Sequence, residues 1–131
     1  MIRRMEERDL AAVAELEKLC FSENWSYHIL ESGIHSPYDV YYVFEQEGKI
    51  LGYCNLRVLA GEGEVQRIAV HPDSRRLGLG RKMMDAMVEY AIRERAYAIS
   101  LEVRPETCMN PMVFRQRQYA RPIITIRPRM P

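Results

Sequence analysis

Apolar positions recur along this chain with a period of two in some stretches and nearer 3.6 in others, and the switches mark the elements. Ile2-Arg3-Arg4-Met5 alternates and predicts a short first strand. From Asp9 onward Leu10, Val13, Leu16 and Leu19/Cys20 recur at helical spacing, until Ser22-Glu23-Asn24 breaks the run. Ser26 suits the cap of a second short helix running through Ile29 and Leu30 and ending near Gly33. Val40 to Phe44 is β-branched and aromatic, Gln46-Glu47-Gly48-Lys49 reads as a turn, and Ile50 to Val58 resumes as a strand, which together predict a hairpin. Gly61-Glu62-Gly63 reads as a further turn into Glu64 to Val70, and His71-Pro72-Asp73 stops that strand. Gly80 to Arg95 predicts a helix with Met84, Met87/Val88 and Ala91 on one side, and Ala98 to Val103 predicts a strand buried on both faces. The order β-α-α-β-β-β-α-β describes an α/β chain with a mixed sheet flanked by helices.

Composition narrows the classes. A chain of 131 residues holds one domain with one modest core. Its net charge of +1 attracts no polyanion as a whole, so no specific nucleic-acid partner is expected. Three cysteines (Cys20, Cys54, Cys108) without CxxC spacing argue against a disulfide framework or a zinc site and suit a reducing cytoplasm. The opening MIRRMEERDL has no apolar leader, and no run approaches membrane-spanning length. His28, His35 and His71 lack metal-ligand spacing, and His71 before Pro72 reads as a strand terminator. Cys20, Cys54 and Met83, Met84 and Met87 read as core, as do Phe21 and Trp25 unless they line a cleft. Arg3-Arg4 and Arg93-Glu94-Arg95 read as solvated charge.

The segment with chemical content is VQRIAVHPDSRRLGLGR, residues 65–81. Arg75-Arg76-Leu77-Gly78-Leu79-Gly80 lies between a strand and a helix. Glycine lets the backbone approach a ligand, and a helix N-terminus offers unpaired N–H groups and partial positive charge to a phosphate. Arg75, Arg76 and Arg81 add formal charge, which makes the segment a candidate pyrophosphate cradle. A two-glycine loop alone serves equally well as a tight strand–helix connection.

R-x-x-G-x-G after RIAVHP resembles the acetyl-coenzyme A loop of the GNAT (Gcn5-related) N-acetyltransferase superfamily, and the resemblance runs from residue 1 to about 104 in matching element order. Within it the chain is similar to the RimI-type ribosomal-protein-alanine N-acetyltransferases, through CFSENWS after the first helix, the stretch GYCNLRVLAGEGEVQRIAVHPDSRRLGLGRKMM, and LEVR. The resemblance implies a GNAT-type mixed sheet and acetyl transfer from acetyl-coenzyme A, as cosubstrate, to a protein N-terminal α-amine, with a small-subunit ribosomal protein as partner; a small-molecule amine is the alternative acceptor. It implies that backbone groups of Ile68 and Val70, around Ala69, pair with the pantetheine arm. Amides from Arg76 through Leu77, Gly78, Leu79 and Gly80 to Arg81 would hold the pyrophosphate. The Val70 N–H would polarise the thioester carbonyl. Glu102 matches the position of the general base that frees the amine; read without the family, it is a solvated strand-end carboxylate.

After Arg104 the family pattern R-x-S-N-x-x-A-x-x-L-Y-x-x-x-G-F is absent. Its tyrosine is the usual acid toward the coenzyme A thiolate, yet Arg117 stands seven residues after Asn110, and Tyr119 is out of register. Residues 105–131 hold five of the seven prolines, five arginines, no glycine and one acid, Glu106. This atypical segment replaces the family's last helix and strands, and activity is expected to be impaired though coenzyme A binding survives. Pro122 to Arg127 is β-prone and suits the vacated strand position in this chain or in a second copy; otherwise an open edge invites dimerisation.

The genetic code accounts for the tail. Shifting the frame by two bases through Thr107 to Phe114 permits L-Y-E-x-x-G-F, with Glu and Gly forced, and Pro122 to Pro131 permits Y-Y-H-D-P-A-E-D-A with the last Ala forced. A deletion with a frameshift near codon 105 is therefore expected, and sequencing the source gene beside its relatives checks it. An in-frame ancestor of this tail would overturn the idea.

Overall fold

The computed structural model describes residues 1–102 and 123–126. Arg104, Cys108, Asn110, Arg117 and Tyr119 lie outside them. Six strands form one sheet in sequence order: β1 (Ile2–Arg4), β2 (Asp39–Gln46), β3 (Lys49–Leu59), β4 (Glu62–Val70), β5 (Ala98–Glu102) and β6 (Ile123–Ile126). Neighbours are antiparallel except β4 and β5, whose parallel pairing follows from the crossover helix between them. Helices α1 (Leu10–Cys20) and α2 (Tyr27–Ile34) cover one face, and α3 (Leu79–Arg93) covers the other. The predicted mixed α/β order holds, and the β-prone tail segment occupies the sixth strand position in its own chain, antiparallel to β5.

Two-residue turns close both hairpins. Glu47 and Gly48, then Ala60 and Gly61, all take positive φ, the geometry whose twist matches flanking strands. The second turn therefore sits earlier than predicted, and Glu62 and Gly63 already belong to β4. The sheet's two faces carry separate cores. Leu56, Val65, Ile68, Met83, Met87 and Ile99 pack on the α3 side, whereas Leu10, Val13, Leu16, Leu30, Val43 and Tyr53 pack under α1 and α2. Cys54 belongs to the first core, where burial pushes its thiol up to about 12 and leaves it a neutral packing group.

Two local readings change. Ser26 does cap α2, accepting from the Ile29 amide at 3.3 Å, but the helix runs one residue past Gly33. Arg3 is not solvated charge. Its guanidinium grips the Asp9 carboxylate with two bonds of 2.8 Å and reaches Glu45 at 3.1 Å, which ties β1 to the start of α1. Asp9 also accepts from the Glu6 amide at 2.8 Å. The Arg3 hydrogen bonds hold the Asp9 carboxyl below its ordinary range. Because the folded pKa is depressed, this stabilisation is complete above the unfolded carboxylate value of 3.8 and is lost as pH falls through the folded value. Asp9→Ala is expected to cost on the order of 2 kcal/mol at pH 7, between the values typical of exposed and buried pairs. Urea unfolding at pH 7 and pH 3 should show the difference between variant and parent shrink at the lower pH.

Candidate active site

The site begins with a strand that loses one partner. Strand β4 pairs with β5 only from Glu62 to Val65, where Val65 faces Leu101. Gln66 is then an extra residue in the ladder with β3, since Asn55 pairs with Arg67 and Leu56 with Val65. Such a bulge bends and twists its strand, and from this point Gln66 to Val70 have no partner on the β5 side among the described residues. The His71 amide donates to the Leu51 carbonyl at 2.7 Å, which makes Val70 and Gly52 a non-hydrogen-bonded pair. Val70, and Ile68 two residues earlier, therefore direct their own N–H and C=O away from β3 and toward the opening. Ala69 has the reverse backbone orientation and buries its side chain under α1. Glu102 is the first residue of β5 beyond the last β4 pair, so its backbone stands at the mouth of the split.

One short connection later the chain enters α3. Pro72–Ser74 form a 3₁₀ turn, and the His71 Nδ1 accepts from the Asp73 amide at 3.1 Å, the strand-terminating role expected of it. Arg76 (φ 72°) and Gly78 (φ 78°) are left-handed. The first α3 bond runs from the Lys82 amide to the Gly78 carbonyl at 3.1 Å, so Leu79, Gly80 and Arg81 have no acceptor within the helix for their N–H groups. A Cβ placed on Gly78 or Gly80 would meet nothing within 4 Å, so open space lies above both. Leu79 is buried beneath the loop, while Leu77, Arg75, Arg76 and Arg81 are exposed. No ion pair involves these arginines among the described residues. Unpaired N–H groups, the positive end of a helix and three arginines without an ion pair among the described residues are the features that attract an anion. Residues Arg75 to Arg81 follow the end of β4 by one short connection and lead directly into α3.

A second cluster was not anticipated. Glu17 is fully buried on α1 and accepts from the Tyr53 hydroxyl, from the Trp25 amide at 2.7 Å and from Arg67 Nη2 at 3.0 Å. Burial, and then the neighbouring carboxylate, push the Tyr53 phenol well above its ordinary value, so it donates as a neutral hydroxyl. The Arg67 guanidinium lies 4.1 Å from the Phe21 ring centre and 4.6 Å from that of Trp25. Phe21 is buried and Trp25 partly so, and both line the α1–α2 connection beside β4. Glu17 had a signal in the sequence, being a carboxylate inside the Val13, Leu16, Cys20 helical stripe. Arg67 had a weaker one, a cation directly before the buried run Ile68-Ala69-Val70.

Comparison with known proteins identifies the family and the fold. The profile of the Acetyltransferase (GNAT) family matches residues 10–108. A Bacillus subtilis (strain 168) protein, named provisionally as a ribosomal protein bS18-alanine N-acetyltransferase, is 32% identical over 107 residues, covering 79% of this chain and 69% of its own. The Escherichia coli (strain K12) ribosomal protein bS18-alanine N-acetyltransferase is 28% identical over 103 residues, with the same coverages of 79% and 69%. The crystal structure of the Escherichia coli ribosomal-protein-S18-alanine N-acetyltransferase superposes with a TM-score of 0.73 at 27% identity, over 80% of this chain and 67% of that one. A Thermoplasma acidophilum N-acetyltransferase solved with coenzyme A shares the fold at TM-score 0.65 and 15% identity, covering 82% of this chain and 80% of that one. The split between β4 and β5, with its anion cradle, therefore stands in a chain that belongs to the GNAT acetyltransferase family.

Proposed function

We propose that this acetyltransferase moves the acetyl group of acetyl-coenzyme A to the N-terminal α-amine of a protein, and that its natural acceptor is a small-subunit ribosomal protein of the bS18 kind. The observation that carries the reading is the unpaired backbone of Ile68 and Val70 beside the cradle of Arg75 to Arg81. The names of the Bacillus subtilis and Escherichia coli relatives support the acceptor. Residues 1–104 form the acetyltransferase core in this reading, and residues 105–131 replace the family's last helix and strand.

The residues fit the cosubstrate. Ile68 and Val70 each offer a donor and an acceptor to an amide-bearing arm, which would extend the sheet as one more strand. The free amides of Leu79, Gly80 and Arg81, with the three arginines, hold a pyrophosphate. Acetyl-coenzyme A supplies the acetyl group as an activated thioester. The Val70 N–H is the donor placed for its carbonyl oxygen, where negative charge grows during transfer. Glu102, at the mouth of the split, is the base that removes a proton from the acceptor ammonium, directly or through water. No tyrosine stands at the family's acid position, so water protonates the leaving thiolate. That same departure favours a second reading, a protein that retains coenzyme A and transfers slowly.

Calorimetry with coenzyme A and turnover on an N-terminal alanine peptide separate the two. Binding with turnover supports transfer, binding without turnover selects the second reading, and no binding overturns both. Where turnover occurs, Glu102→Gln is expected to lower kcat/KM by about 10²- to 10³-fold with coenzyme A affinity unchanged, the scale of a lost general base. Gly78→Val should instead weaken coenzyme A, because a β-branched residue resists the left-handed geometry at that position.

A further inference from the structure

A single guanidinium ties the central sheet to the segment joining α1 and α2. Arg67 immediately precedes Ile68 on β4, and its side chain is only 10% exposed. One nitrogen, Nη2, donates both to the Glu17 carboxylate at 3.0 Å and to the Glu23 carbonyl at 2.9 Å. The plane meets the rings of Phe21 and Trp25 at 4.1 and 4.6 Å. Glu17 closes the circuit by accepting from the Trp25 amide at 2.7 Å. Four residues between Glu17 and Trp25 thus touch one cation. Ser22, Glu23 and Asn24, between the two rings, are themselves exposed. The segment also reaches the reacting end of β4, where Cys20 Sγ lies 3.5 Å from the Val70 carbonyl oxygen.

We propose that Arg67 is a positioning residue for the acceptor, holding Phe21 to Trp25 as one wall of the cleft through which the α-amine approaches Val70. The inference rests on the acetyl-transfer reading. It follows from the shape of the cation as well as its charge. A planar guanidinium stacks on aromatic faces while donating in its plane, whereas a lysine ammonium is a point charge that can compensate Glu17 without spanning both rings and the Glu23 carbonyl. Arg67 Nε is buried without a hydrogen-bond partner among the described residues, so face contacts carry much of the hold.

The test is steady-state kinetics of Arg67→Lys with an N-terminal alanine peptide, beside coenzyme A affinity and thermal unfolding of the same preparation. The acceptor KM is expected to rise about tenfold while coenzyme A affinity stays within about twofold, the scale of one lost desolvated cation–π contact. An unchanged acceptor KM in a folded variant overturns the proposal alone, and so does a parallel loss of coenzyme A affinity. Absence of turnover in the parent protein with every α-amine peptide overturns the functional reading and this proposal together. A second measurement needs no variant. Trp25 is the only tryptophan, so its fluorescence reports the wall directly. Titrating the peptide into the parent protein with coenzyme A present should shift that emission to saturation. A peptide that is acetylated yet leaves the emission unchanged overturns the proposal.

Discussion

Everything at this site depends on backbone groups that the sheet leaves unmade. A buried or half-buried strand ordinarily satisfies both edges, because an unpaired N–H or C=O away from water costs about as much as a lost hydrogen bond. Strand β4 meets that requirement on its β3 side along its length and on its β5 side only as far as Val65. Past that point Ile68 and Val70 have no β5-side partner among the described residues, within a strand whose side chains pack into the two cores. A ligand arm with amide groups, as in the reading proposed above, would find a ladder already oriented. The cost of ordering that edge is met in folding, before any ligand arrives.

The two faces of the sheet divide the remaining work. On the α3 side packing is apolar and serves to fix the helix whose N-terminus carries the cradle. On the α1/α2 side a charged pair is sunk into the core, and Glu17 is tolerable there only because a phenol, an amide and a guanidinium converge on it. Removing any one donor would leave a buried charge short of partners, which makes this cluster stiff. Stiffness is useful here, since the same cluster anchors the connection that borders the open edge. The stacked Tyr41 and Tyr53 rings, with centres 6.5 Å apart and planes 3° from parallel, extend the rigid patch across β2 and β3.

The elements were legible in the sequence because they rest on local rules. Periodicity placed the helices and strands to within a residue or two, and R-x-x-G-x-G correctly marked the connection between a strand and a helix. What could not be read were interactions between residues far apart in the chain. The Arg3–Asp9 pair looked like surface charge because nothing local says that β1 lies against the entry to α1. Glu17 and Arg67, 50 positions apart, meet only after the sheet has formed. The second hairpin turn was misplaced for the opposite reason, since two glycines drew the eye while an alanine took one of the left-handed positions. The sixth strand was foreseeable from β-propensity, yet its antiparallel register against β5 required the structure.

Gln66 carries a consequence for how this fold can change over time. It is one supernumerary residue, and the separation of β4 from β5 starts at it. A protein lacking it would have a straighter β4, with Arg67 brought next in line toward Glu102 of its parallel neighbour. Such a deletion would make a better sheet and a blind one. Selection for stability alone therefore runs against this residue, which forgoes some cohesion while an edge stays available.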